Sequence, residues 1–145
     1  KFCRFKPHAL LAQTGQPLQV INSDGVAHNT NAPFVRNSKF NSTINANDAT
    51  GVTLVLDKAE KVPVKTVCDF HTWMNCYVFV IDHPFAAVTD ENGKFEIKNL
   101  PAGTHKFRVW HESADFLERS LSVEVKAGAD AKVDLKYNLS KFPKL

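Results

Sequence analysis

Three side chains that bind soft metals stand within one short stretch: Cys68, His71 and Met74, spaced C-x-x-H-x-x-M. A thiolate and an imidazole are strong ligands for copper, and a thioether suits it as a weak axial ligand. Two His, one Cys and a distant Met make up the trigonal site used for one-electron transfer. The motif supplies one imidazole, so the missing equatorial ligand should be a His from elsewhere in the chain. His28 is the natural candidate, because it follows the apolar run Leu18 to Asn22 and the turn Ser23-Asp24-Gly25 and so lies at a strand end. Each residue also has a plainer reading. Cys68 could be a buried thiol, since free Cys is among the most buried residue types. His28 could be a turn histidine, and Met74, the only Met in the chain, a packing residue. Thiol, imidazole and thioether at ligand spacing in one loop favour the metal. Zinc fits this set less well than copper, because structural zinc sites take further Cys or His in preference to a thioether.

The elements that must position these residues read as strands. The loop lies between two strand-like runs, Val62 to Val67 and Tyr77 to Ile81. Period-two or continuous apolar runs recur at Val52 to Leu56, Phe95 to Ile97, His105 to Trp110, Ser120 to Val125 and Lys132 to Leu135, and strand length with such alternation is the pattern of half-buried β structure. Turn chemistry separates them at Asp90-Glu91-Asn92-Gly93, Leu100-Pro101-Ala102-Gly103 and Lys126-Ala127-Gly128-Ala129-Asp130, where Gly, Pro, Asn and Asp supply the backbone conformations that turns require. Short strands at this spacing predict an all-β sandwich or Greek-key barrel. Ala32 to Thr50, rich in Asn and Ser, reads instead as a long connecting loop.

Composition narrows the function classes. With 145 residues, 43% hydrophobic and 23% charged, the chain has the make-up of an ordinary globular protein. No stretch approaches the roughly 20 apolar residues of a membrane-spanning helix. The net charge is +3, and the Lys and Arg are dispersed without a basic run, which argues against a nucleic-acid binder. Hydrolytic constellations are missing: there is no Gly-x-Ser-x-Gly elbow, phosphate-cradling Gly loop or His-Glu-x-x-His helix. Three Cys are an odd number; with Cys68 on a metal, Cys3 and Cys76 can pair in an oxidising compartment or remain packing thiols. Cys3, His8, His83 and His111 are weak candidates for a second metal site; a surface or satisfied histidine is the commoner reading of the three His, and a packing residue that of Cys3. The sequons at Asn41 and Asn138 arise easily in an Asn-rich chain. The chain opens at Lys1 without an initiator Met, as expected of a processed protein or an excised piece.

Two resemblances add to this reading. Gly15-Gln16-Pro17-Leu18-Gln19-Val20-Ile21-Asn22-Ser23-Asp24, followed by His28-Asn29, resembles the first-ligand region of cupredoxins such as plastocyanin and amicyanin. Cys68-Asp69-Phe70-His71-Thr72-Trp73-Met74 is similar to the short ligand loop of amicyanin. The resemblance covers about residues 12 to 81 and implies a type 1 copper site with His28, Cys68 and His71 equatorial and Met74 axial. It also implies that Asn29 ties the two ligand regions together by hydrogen bonds, and it sets Trp73 where an aromatic often precedes the Met. Further on, Ala86 to Gly103 is similar to the hairpin signature of carboxypeptidase regulatory-like, or transthyretin-like, β-sandwich domains. The expected organisation is therefore a cupredoxin-like part, 1–82, and a transthyretin-like set of antiparallel strands, 83–145. The second is packed on the first, either as an extension or as one continuous domain, with Tyr77 to Ile81 a candidate shared strand. Composite sequences of this kind resemble bacterial periplasmic or cell-surface proteins.

These resemblances imply one-electron transfer through a mononuclear copper to a redox protein such as a small cytochrome, not an enzyme. Phe70, Trp73, Tyr77 and Phe79 would form a dry shell, and the edge of His71 the electron exit. The competing reading is a copper-carrying or extracellular interaction module in which the metal is cargo or structural. A catalytic copper with an open coordination position is a third.

Overall fold

Strand β7 (Asn75–Ile81) organises the fold. Its residues alternate strictly, with Cys76, Val78 and Val80 buried and Asn75, Tyr77, Phe79 and Ile81 half-buried, the period-two pattern of a strand with one face on a core. On one edge it pairs in parallel with β1 (Ala9–Gln13). On the other it pairs antiparallel with β6 (Val64–Val67), which is followed by β3 (His28–Ala32) and β4 (Phe40–Ile44). The result is a curled mixed sheet of order β1-β7-β6-β3-β4. Strands β2 (Pro17–Val20) and β5 (Val52–Val55) form a separate antiparallel pair. Their facing residues Leu18 and Leu54 pack against a core of Ala12, Ala32, Phe34, Leu56, Val64, Val78 and Val80. Each large apolar side chain buried there contributes about 1.5–3 kcal/mol.

The computed structural model describes residues 2–142. Two compact units make up the chain, Lys1–Ile97 and Lys98–Leu145. The second contains a long antiparallel hairpin of β8 (Gly103–His111) and β9 (Asp115–Val125). On it the guanidinium groups of Arg108 and Arg119 lie over the Phe116 ring, 5.3 and 4.8 Å from its centre.

Three expectations change. Ala32 to Thr50 is not merely a connection, because Phe40–Ile44 forms β4 and pairs with β3 from His28↔Ile44 to Ala32↔Phe40. Its alternation of Phe40, Ser42 and Ile44 was disguised by the polar Ser at the centre. Phe95 to Ile97 and Lys132 to Leu135 are not strands. Phe95 and Val133 are exposed, and among the described residues neither segment pairs with a strand. Both edges of β7 are taken, by β1 and β6.

Candidate metal centre

The sequence sets the three donors on two neighbouring pieces of backbone. His28 opens β3, while residues 68–74 are the connection of the antiparallel β6–β7 hairpin, which closes at the pair Val67↔Asn75. Two backbone hydrogen bonds shape this connection: the Cys68 N–H donates to the Met74 carbonyl (3.0 Å) and the Met74 N–H to the His71 carbonyl (2.8 Å). Cys68, His28 and Met74 are buried and His71 is half-buried. The Nδ1 atoms of His28 and His71 are 3.1 Å apart, and Cys68 Sγ lies 3.8 and 3.7 Å from them. With metal–nitrogen and metal–sulfur bonds of about 2.0 and 2.3 Å, donors so spaced can share one ion. The donor set, two imidazoles and a thiol with a buried thioether ending the same loop, fits copper on its chemistry.

Hydrogen bonds hold these candidate donors from behind. His28 Nε2 meets Asp24 Oδ2 at 3.1 Å. Burial works against the Asp24 carboxylate, but donation from the Cys3 and Phe2 backbone and from His28 outweighs it and holds its pKa down at about 2. Between the two ligand regions, Asn29 Nδ2 donates to Asp69 Oδ2 (2.6 Å) and the Asp69 N–H donates to Asn29 Oδ1 (2.6 Å). Asn31 Nδ2 also reaches Asp69, at 3.1 and 3.2 Å, and Asn29 Nδ2 reaches Asn41 Oδ1 at 2.9 Å. Hydrogen bonds from Asn31, then Asn29, keep the Asp69 pKa below the usual carboxylate range. Through these bonds Asn29 joins β3 to the Cys68 loop.

No family model and no curated protein matches this chain. Solved structures do. The chain is similar to cupredoxins. A purple cupredoxin from Nitrosopumilus maritimus shares 27% identity over 54% of this chain and 82% of its own, with a TM-score of 0.45. A reduced amicyanin variant shares 17% identity over 55% of this chain and 74% of its own, with a TM-score of 0.46. A second reduced amicyanin variant shares 16% over 54% and 73%, also with a TM-score of 0.46.

Around the loop of residues 68–74, other expectations divide. Phe70 and Trp73 do not form a dry shell: they lie on the hairpin connection 56% and 65% exposed. Tyr77 and Phe79 are half-buried on the face of β7 opposite Val78 and Val80. Trp73 instead sets its ring edge-on to His71, with centres 5.3 Å apart. Among the weak second-site candidates, Cys3 falls into a donor group with Asp24 and His28. His8, His83 and His111 join no three-donor group among the described residues. His8 lies edge-on to Tyr77, His83 stacks on Phe85 and His111 lies edge-on to Phe142. All three thiols are free; Cys76 is packed on the inner face of β7, and burial pushes its pKa up to about 11. The sequence reading missed the functional placing of Asp24, Asn31 and Asn41. For Asp24 a signal existed, a carboxylate four residues before the candidate ligand.

Proposed function

We propose that this protein transfers single electrons through a mononuclear type 1 copper held by His28, Cys68, His71 and Met74. The observation that carries the reading is the convergence of two imidazole nitrogens and one thiol sulfur to separations of 3.1–3.8 Å. Bound there, copper would supply a one-electron Cu(I)/Cu(II) couple. The protein's part is to hold the donors still and dry in both states. Burial of His28, Cys68 and Met74 excludes water from three of them, and the hydrogen bonds within 68–74 and from Asn29 to Asp69 resist rearrangement. His71 is half-buried and touches the exposed Trp73, which makes this side of the loop the electron exit toward a redox protein such as a small cytochrome. A periplasmic or cell-surface setting accords with the resemblance, and no helix among the described residues is long and apolar enough to cross a membrane. The division into a copper-binding part, 1–82, and a transthyretin-like extension, 83–145, belongs to the same proposal: every proposed ligand precedes residue 82, and the β8–β9 hairpin follows it.

The half-buried His71 also gives an acceptor protein access to one ligand, which keeps copper carriage as a second reading. The third reading, an open catalytic position, is tested with a small anion. A reversible one-electron wave, retention of copper against a competing chelator and a spectrum unmoved by azide are the expected results. Ready copper loss would favour the carrier, and a spectral shift with azide would favour an open position.

A further inference from the structure

Residues 2 and 3 adopt an unusual backbone conformation. Phe2 and Cys3 both have left-handed backbones, with φ of 63° and 50°, a region that non-glycine residues enter at a steric cost. The Phe2 side chain is 78% exposed, so packing of its ring does not hold it there. Their N–H groups supply the reason. Phe2 N donates to Asp24 Oδ1 at 2.7 Å and Cys3 N to Asp24 Oδ2 at 3.0 Å. Successive N–H groups turned to one side in this way form a concavity for an anion, and here the anion is a side chain of the same protein.

Asp24 is pinned from its own side as well. Its N–H donates to Asn22 Oδ1 (2.9 Å), its carbonyl accepts from Asn47 N (2.8 Å), and Asn22, itself buried, donates to the carbonyls of Val26, Ile44 and Asn45. The carboxylate is 11% exposed and His28 5%. Both Asp24 oxygens are thus directed by backbone, and Oδ2 faces His28 Nε2 at 3.1 Å.

We propose that Asp24, clasped by the backbone of Phe2 and Cys3, is the positioning residue for His28, fixing its proton on Nε2 and its lone pair on Nδ1. A neutral imidazole carries one proton, and the partner of one nitrogen sets the state of the other. With the proton on Nε2 against a carboxylate, Nδ1 is left bare toward Cys68 Sγ and His71 Nδ1, as a metal ligand must be. With the proton on Nδ1, the donor would be blocked. The carboxylate also adds a negative charge behind the ligand, which favours the more highly charged state of a bound ion. Cys3 contributes its N–H and not its thiol, although that thiol belongs to a donor group with Asp24 and His28. The redox part of this inference rests on the copper reading, whereas the tautomer part does not.

The test uses the full chain and four variants. In the metal-free protein, nitrogen NMR of the His28 ring should report a protonated Nε2. Asp24→Ala should lose that preference. Asp24→Asn, which keeps an acceptor oxygen, should retain it. Cys3→Pro, which removes the N–H and cannot adopt a φ of 50°, should weaken it, while Cys3→Ser should match wild type. With copper bound, Asp24→Ala should lower Cu(II) affinity by about 10–100-fold. Asp24→Asn should raise the reduction potential, by about 59 mV for each tenfold loss of Cu(II) over Cu(I) affinity. A wild-type tautomer in Asp24→Ala would overturn the proposal, as would a Cys3→Ser variant as altered as Cys3→Pro, since the thiol would then be the active group. If copper gives no reversible couple, the function reading fails while the tautomer result still decides the role of Asp24.

Discussion

Replacing Asn29 by Ala tests whether the two ligand regions are held together by the hydrogen bonds described above. Asn29 is 3% exposed, so water does not easily take over its partners. The substitution removes donation to Asn41 Oδ1 (2.9 Å) and Asp69 Oδ2 (2.6 Å) and acceptance from Asp69 N (2.6 Å). A typical net hydrogen bond is worth about 0.5–1.5 kcal/mol, with more lost when a buried partner is left unpaired. Asp69 itself is exposed and keeps Asn31, which limits the penalty on that side, so the sum is about 2–4 kcal/mol. With a urea m-value of about 1–3 kcal/mol/M, the unfolding midpoint of the metal-free protein should fall by roughly 1–2 M. Asp69→Ala should also destabilise, and the double variant should lose less than the sum of the two, because both substitutions remove the Asn29 Nδ2–Asp69 Oδ2 bond. A midpoint equal to wild type, or additive losses, would refute the claim that this bridge ties β3 to the Cys68 loop.

Other outcomes follow from single features. Glu60 is buried and accepts from Arg36 N, Asn37 N and Asn37 Nδ2 at 2.9, 3.2 and 2.9 Å. Burial opposes its charge, but these bonds, that of Asn37 first, bring its pKa below the ordinary value. A depressed carboxylate stabilises the fold above its unfolded pKa and loses that contribution as pH falls through the folded one. Glu60→Gln should therefore cost about 1–3 kcal/mol at neutral pH and flatten the acid limb of a stability–pH curve, and an unchanged limb would contradict this. Gly51 has φ +59°, and a Cβ there would lie 1.9 Å from the Val20 carbonyl oxygen. Gly51→Ala should destabilise, in urea melts, by more than the roughly 1–2 kcal/mol of a left-handed backbone alone. Trp73→Ala should leave stability and the copper spectrum nearly unchanged but slow electron exchange with a cytochrome, and equal rates would remove Trp73 from the exit.

The legible and illegible parts of this molecule differ in where their stabilisation comes from. Cys68, His71 and Met74 could be read because their chemistry is local, one loop between two apolar runs. The strands Val52–Val55, Val64–Val67 and Asn75–Ile81 announced themselves through β-branched and aromatic residues. By contrast β3, His28-Asn29-Thr30-Asn31-Ala32, has little intrinsic preference for a strand and is nonetheless largely buried. Its polar side chains find partners on Asp69 and Asn41, residues 12 to 40 positions away, and no local window contains that information. The same holds for Asp24, whose meaning depends on a clasp from 22 residues upstream. Phe95 to Ile97 failed in the opposite sense, as a local pattern that finds no partner strand among the described residues.

The central claim is that Cys68 is a metal thiolate in a trigonal site with two imidazoles. The visible spectrum of the protein loaded with one equivalent of Cu(II) tests it most directly, because it reports metal, thiolate and geometry together. An intense blue thiolate-to-copper charge-transfer band that Cys68→Ser abolishes is the expected result, whereas a colourless copper-loaded wild type, or a blue Cys68→Ser, would contradict it.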